Sequence, residues 1–316
     1  MAKTTVSISV SGLKKSYPGK EVLKDVNFSV PSGMVYALLG SNGAGKTTTI
    51  RILTGQIPAD EGSLAVEGYS VSQAPQKVRE VISLTGQFSA VDEALTGKEN
   101  LLLMASLRRL SFPQKQVEAL LDYFALTSCA DRLVSSYSGG MKRKLDIAMS
   151  LLGQPKVIFL DEPTTGLDPQ SRRSMWKLIK NLRASGITIF LTTQYLEEAE
   201  ELADRIAILD NGKIIAEGTA QELKNYLPQG ALVFFFEDRK NFEAAAGLLK
   251  GYKTSSVPDE HKLTVFTDGK GSTLTEICAL LYQNHIGVLD FARLTPGLED
   301  VFLAMIKEKE EQKNEY

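Results

Sequence analysis

The residues best suited to chemistry begin at position 40. Gly40-Ser41-Asn42-Gly43-Ala44-Gly45-Lys46-Thr47 has the spacing G-x-x-x-x-G-K-[ST]. The glycines let the backbone wrap an anion and turn its N–H groups inward, and a helix opening at the loop's end adds its positive N-terminus. Lys46 can reach the β- and γ-phosphates of a nucleotide, Thr47 can offer a hydroxyl to Mg²⁺, and Thr48 completes this nucleotide-binding set. The alternative is a chance glycine-rich turn. The flanks argue against it, because the apolar run 35–39 precedes the loop and a helical pattern follows as far as Gly55. A second apolar run, Val157-Ile158-Phe159-Leu160, ends in Asp161-Glu162. Asp161 suits a metal held through water, and Glu162 suits a general base acting on water. Taken alone, Glu162 also reads as a solvated acid at a strand end.

These groups need a scaffold, and the apolar pattern supplies one. Residues 35–39, 157–160, 187–191 and 206–209 read as strands buried on both faces. Helical stripes lie between them: Val117, Leu120, Leu121 and Phe124; Leu145, Ala148, Met149 and Leu152; Met175, Leu178, Ile179 and Leu182. Strands alternating with helices predict a largely parallel sheet covered on both sides. Segments 6–10 and 26–30 alternate more and predict an antiparallel flank. Residues 89–153 carry helical patterns without a strand, which predicts a helical insertion. The pattern changes near Leu227-Pro228-Gln229-Gly230, and a βαββαβ order follows, with strands at 231–236, 252–257, 262–267 and 288–294 and helices at 241–250 and 273–284. That order is compatible with a ferredoxin-like split unit. Thr295 and Pro296 then open a last helix with a stripe of Leu298, Val301, Phe302, Met305 and Ile306, and residues 307–316 read as a polar tail.

Composition narrows the function classes. The chain has 316 residues, enough for two domains and a large core without metals or disulfides. Its 36 Lys+Arg nearly balance 38 Asp+Glu, which disfavours a protein that coats nucleic acid. Cys129, Cys278, His261 and His285 lie far apart and form neither a zinc motif nor a disulfide framework. The first residues lack the long apolar stretch of a signal peptide, and no run approaches a membrane span. Any membrane role is therefore expected to come through a partner.

Tyr137-Ser138-Gly139-Gly140-Met141, standing ahead of the Asp161-Glu162 strand, resembles the signature loop of the ATP-binding cassette (ABC) ATPases, with that strand as their Walker B. On its own terms, a serine and two glycines at a helix start form a second anion site. The resemblance runs in order through the first 225 residues. It implies an α/β P-loop NTPase cassette over residues 1–227, with a helical subdomain at about 89–153, followed by a small α+β domain over 228–306. It implies ATP and Mg²⁺ as ligands. It places Tyr17 as the adenine-stacking aromatic, Gln87 as the Q-loop ligand of nucleotide and metal, and Ser138, Gly139 and Gly140 as contacts to nucleotide. Gly166-Leu167-Asp168 resembles the D-loop, so Asp168 joins the nucleotide site across a dimer interface. Asp168-Pro169 also reads as an ordinary helix cap, and the two roles are compatible. The basic run Lys142-Arg143-Lys144 reads as a solvated helix face.

One position departs from the family pattern. After strand 187–191 the family commonly has a switch histidine, and this chain has Gln194. Glutamine donates a hydrogen bond but does not titrate, so Gln194 stands with Glu162 as a catalytic candidate. It could alternatively cap the following helix. The run Thr192-Thr193-Gln194-Tyr195-Leu196-Glu197-Glu198 and the ending 296–303 resemble the daunorubicin/doxorubicin-resistance branch of ABC exporter ATPases. That implies an ABC-2-type exporter in which two cassettes, as a homodimer or a mixed pair, meet head to tail. A separate membrane permease would dock at the cleft beside Gln87 and the 89–100 loop, with the chain peripheral on the cytoplasmic face and no nucleic acid partner. The rival, a soluble ABC ATPase acting on DNA or ribosomes, lacks support: there are no sustained heptads, one cassette rather than two, and a balanced charge. A P-loop kinase or GTPase leaves residues 138–141 unexplained.

Overall fold

The computed structural model describes residues 5–87, 90–225, 230–294 and 297–302. The chain divides into two compact units, 1–220 and 221–316. The first contains two sheets. An antiparallel one comprises β1 (Val6–Tyr17), β2 (Lys20–Pro31), β4 (Glu61–Val66) and β5 (Tyr69–Ser70), in the order β2-β1-β4-β5. A six-stranded one comprises β3 (Val35–Leu39), β6 (Ile82–Thr85), β7 (Val157–Asp161), β8 (Thr188–Thr193), β9 (Arg205–Asp210) and β10 (Lys213–Gly218), in the order β10-β9-β3-β8-β7-β6. All its pairings are parallel except β9 with β10.

The helices of this unit are α1 (Lys46–Leu53), α2 (Pro75–Val81), α3 (Gly97–Leu107), α4 (Pro113–Tyr123), α5 (Gly139–Leu151), α6 (Pro169–Ala184) and α7 (Leu196–Leu202). Between β6 and β7 the described residues hold helices and one isolated bridge, Thr96 to Leu133, as the helical-insertion reading expects. The two sheets share one core. Phe28 of β2, Tyr36 of β3 and Phe190 of β8 stack at centroid distances of 5.3, 5.6 and 5.7 Å. Burying each such ring contributes about 1.5–3 kcal/mol, and the ring cluster fixes the antiparallel flank against the central strand.

Parallel pairing has a direct consequence for the site. The C-terminal ends of β3, β6, β7 and β8 all lie at one edge of the sheet, so the residues that follow them converge there. These are the 40–47 loop, Gln87, Glu162 and Gln194.

In the second unit, β11 (Gly230–Phe235), β12 (Lys253–Val257), β13 (Lys262–Thr267) and β14 (Asp290–Leu294) form an antiparallel sheet in the order β12-β13-β11-β14. Helix α8 (Ala220–Lys224) lies at the division between the units, ahead of the pattern change expected near 227. Helices α9 (Arg239–Leu248) and α10 (Gly271–Gln283) supply Phe242, Ala245, Ile277 and Leu281 to a core with Leu232, Phe234, Leu263 and Val265. α9 starts ahead of the expected 241 because the Asp238 carboxylate accepts the Asn241 N–H at 2.7 Å. Residues 298–302 are helical. The linker residues 226–229, the Thr295-Pro296 cap, the later part of the last helix and the 307–316 tail lie outside the described residues.

Candidate active site

The loop after β3 is shaped by close approach. Gly45 caps α1 with φ 116°, and a Cβ there would come within 2.6 Å of Leu23 Cδ2. Only glycine combines this left-handed backbone with contact against β2. No side chain caps α1, so its N-terminus opens on the loop. Beside it lies a cavity of about 630 Å³ lined by Asn42, Gly43, Gly45, Lys46, Thr47, Thr48, Gln87, Glu162 and Gln194, all named from sequence. Three lining residues were not: Lys20 and Val22 of β2, and Thr165. Nothing in their local sequence marks them, since only the packing of β2 across the loop brings the first two there.

Lys46 is 4% exposed, and its Nζ donates to the carbonyls of Gly40 at 2.8 Å and Ser41 at 3.1 Å. Glu162 Oε1 stands 3.3 Å from the same ammonium. Glu162 is 9% exposed, and its φ of 48° is left-handed, unusual for a residue with a Cβ. Its N–H donates to the carbonyl and hydroxyl of Thr192 at 3.1 Å each, and Thr165 Oγ1 donates to its Oε2 at 3.2 Å. Asp161 is buried, and its Oδ1 accepts from Thr192 Oγ1 at 2.5 Å and Thr47 Oγ1 at 3.3 Å. A lysine and backbone N–H groups that can bind phosphate thus stand beside a carboxylate that can take a proton, with a hydroxyl and a carboxylate at hand for a hard cation.

Gln194 faces this cavity. The alternative capping role is not what the structure holds. Tyr195 is the N-cap of α7, no side chain caps it, and its N–H donates to Thr193 Oγ1 at 2.9 Å. Gln87 lies exposed just beyond β6. Tyr17 ends β1 at 42% exposure and does not line the cavity, although the same hairpin delivers Lys20 and Val22. Lys15 Nζ lies 5.7 Å from the Tyr17 ring centroid.

The second predicted anion site lies elsewhere. Ser138 caps α5, its Oγ accepting the Met141 N–H at 3.3 Å. Tyr137, whose hydroxyl donates to the Cys129 carbonyl at 2.6 Å, anchors the approach to it. Ser138, Gly140 and Met141 line a cavity of about 190 Å³ with Lys144, Gln170, Ser171 and Ser174, and it shares no lining residue with the first. A Cβ on Gly140 would meet Ser171 Oγ at 2.6 Å, which ties the start of α5 to α6. Gly139 is the first residue of α5. Asp168 caps α6 by accepting the N–H groups of Gln170 at 3.0 Å and Ser171 at 2.9 Å. The Ser171 hydroxyl and these N–H groups hold its carboxyl below the usual carboxylate range.

The reading of residues 142–144 as a solvated face fails at Arg143, which is 7% exposed. Lys142 is half-buried and pairs with Glu93 at 2.5 Å. Sequence reasoning also missed Glu198 on α7, which is fully buried. Its Oε1 accepts from Thr164 Oγ1 at 2.7 Å and Trp176 Nε1 at 3.2 Å, joining the loop after Glu162 to the helix after Gln194. Burial pushes the Glu198 carboxyl up. An acid whose folded pKa is raised contributes stability that is full below its unfolded value and is lost as pH rises through the folded one. Glu198→Gln cannot ionise, so its Tm relative to the parent is expected to rise as pH climbs past the ordinary glutamate pKa of about 4.3. Melting curves taken from below that pH to neutrality test this, and a pH-independent difference would contradict it.

Comparison with known proteins agrees with this geometry. The family profile described as ABC transporter matches residues 23–165. The daunorubicin/doxorubicin resistance ATP-binding protein DrrA of Streptomyces peucetius is 43% identical over 306 residues, 95% of this chain and 92% of its own. The linearmycin resistance ATP-binding protein LnrL of Bacillus subtilis (strain 168) is 33% identical over 301 residues, 94% of this chain and 97% of its own. A solved ATP-binding subunit of an ABC transporter superposes with a TM-score of 0.63 at 32% identity, over 70% of this chain and 92% of that one. The chain therefore belongs to the ATP-binding cassette family of transporter ATPases, and it binds and hydrolyses ATP.

Proposed function

We propose that this chain is the ATP-hydrolysing subunit of an ABC-2-type exporter, working as a pair of cassettes on a separate membrane permease at the cytoplasmic face. The carrying observation is the division of the anion-binding parts. Lys46, Glu162 and Gln194 face one cavity, while Ser138 and Gly140 face another with no residue in common. A nucleotide contacted by both sets is then shared between two chains, each giving its cradle to one ATP and its signature to the other. The homodimer and the mixed pair both satisfy this requirement. Asp168, Gly139 and Ser138 act from the partner side, and Tyr17 offers an exposed ring for adenine near the Lys20 edge.

Within the shared site each residue has a separate task. Lys46 and the N–H groups of residues 40–48 hold the phosphates. Glu162 takes a proton from the attacking water at Oε1, the oxygen that faces Lys46, and Thr165 holds the other oxygen. Gln194 donates to the γ-phosphate. The hydroxyl of Thr47, the Asp161 carboxylate and the Gln87 amide form a hard oxygen set that fits Mg²⁺. When bound, Mg²⁺ would neutralise charge on the phosphates.

Whole-chain likeness to resistance ATPases supports an exporter over a DNA- or ribosome-acting enzyme. No described helix is long and apolar enough to cross a membrane. Exposed Leu103 and Leu107 of α3 and Phe112 before α4 offer apolar surface for a permease, and cargo choice belongs to that subunit. Affinity purification from membranes tests this pairing. A second, membrane-spanning polypeptide in stoichiometric amount is expected, and a complex holding only this chain would sink it.

Gln194 gives a prediction at the site itself. Gln194→Ala is expected to cut Mg-ATP turnover by about 10–10³-fold through loss of one preorganised donor. Gln194→His should stay active and add an inflection near the ordinary histidine pKa of about 6.5. Turnover from about pH 6 to about pH 9 reads both effects, and full activity in Gln194→Ala would remove Gln194 from the chemistry.

A further inference from the structure

Arg143 lies in the first turns of α5, the helix that Ser138 caps. Its guanidinium reaches three backbone carbonyls in two segments of the chain. Nη1 donates to the Gly86 carbonyl at 2.7 Å, Nε to the Pro163 carbonyl at 2.9 Å, and Nη2 to the Asp161 carbonyl at 3.2 Å. Nη1 also stands 3.4 Å from Asp146 Oδ2, and Asp146 Oδ1 accepts the Ala90 N–H at 3.3 Å.

Placement gives these contacts their meaning. Asp161 and Pro163 bracket Glu162, so the carbonyls on both sides of the left-handed residue belong to one side chain. Gly86 directly precedes Gln87, and Ala90 follows it. A non-glycine left-handed residue persists where its surroundings hold it. A buried cation is also costly unless its donors are used. Here the planar fork matches carbonyls in three directions, a geometry that the point charge of lysine does not reproduce.

We propose that Arg143 is a positioning residue for hydrolysis: through it, α5 holds the backbone on both sides of Glu162 and the residue before Gln87. A shift at the Ser138 end of α5 then moves the base and the glutamine together. Occupation of the signature by one ATP is thereby transmitted, inside the same chain, to the cavity that holds the other. This inference rests on the reading of Glu162 as the base.

The test uses the full chain and three variants. Arg143→Lys keeps the charge and loses the fork. Arg143→Met combined with Asp146→Leu removes the buried charges as a pair, the replacement that leaves no uncompensated ion. Both are expected to bind a fluorescent ATP analogue within about threefold of the parent, while turnover per bound nucleotide falls by about 10–100-fold, the cost of a base displaced by about 1 Å. Single-turnover rates in a Glu162→Gln background separate positioning from plain stability. A residue that acts through Glu162 adds little further loss there, whereas a structural one imposes its full factor again.

Turnover within about twofold of the parent in Arg143→Lys or in the paired variant overturns the inference. So does an undiminished penalty in the Glu162→Gln background, or a loss confined to nucleotide affinity. Normal turnover in Glu162→Gln alone would instead remove the base assignment itself, a result read in the parent background and distinct from the others.

Discussion

Glu162→Gln is expected to bind Mg-ATP with near-parental affinity and to turn it over about 10²–10⁴-fold more slowly, the range lost with a general base. The amide keeps the shape of the carboxylate and can still accept from Thr165, which donates to Glu162 Oε2 at 3.2 Å. It loses the charge that faces Lys46 at 3.3 Å and the ability to accept a proton. ATP then stays intact in the site, and an ATP-bound dimer should accumulate, visible as a doubled mass in light scattering with Mg-ATP. Lys46→Ala should behave differently. It removes the ammonium from the phosphate cradle, so nucleotide affinity itself should fall and no dimer should build up. Parental turnover in Glu162→Gln would remove the base role, and a persistent dimer in Lys46→Ala would remove the cradle role.

Ser138→Arg should be nearly inactive as a sole species, although its own cradle is untouched. The substitution deletes the hydroxyl that accepts the Met141 N–H, a cap worth about 1 kcal/mol, and fills the small cavity beside Gly140 with a long cation. Its monomer should still bind ATP. Mixing it with Lys46→Ala chains is the sharper experiment. The intact cradle of the first chain meets the intact signature of the second, and one complete site per mixed dimer should return. The recovered rate is expected to reach at most half the parental value, and less where both sites must act together. Parental turnover by Ser138→Arg alone would refute the shared-site arrangement, because a cradle that needs no partner signature would be sufficient.

Much of the site was legible because its parts are local. The 40–47 loop announces itself through glycines and a lysine at fixed spacing, and Gly45 is indeed held where a Cβ would strike Leu23. Asp168 was readable as a cap because an N-cap needs only the next three residues, and it accepts the N–H groups of Gln170 and Ser171. The buried strands β3, β7, β8 and β9 were readable from short apolar runs. Arg143 was misread for a physical reason. Helix α5 buries polar positions as well as its apolar stripe, Asp146 and Ser150 included, so amphipathic spacing does not mark its solvent side. Glu198 escaped notice in the same way, since its neighbours Glu197 and Glu200 make it look like part of a charged surface.

The sequence by itself determined which residues could bind phosphate, cap a helix or enter a buried strand, because those properties depend on side-chain chemistry and on hydrogen bonds within a single turn. Tertiary structure decided which of them meet. The order β10-β9-β3-β8-β7-β6 sets Glu162 and Gln194 beside the loop, and the packing of β2 brings in Lys20 and Val22 while leaving Tyr17 off the cavity lining. In the second unit, no local signal sets β11 between β13 and β14. Such choices rest on pairing between segments far apart in the chain, where loop-closure entropy and shared burial are weighed together and no short window of residues contains the answer.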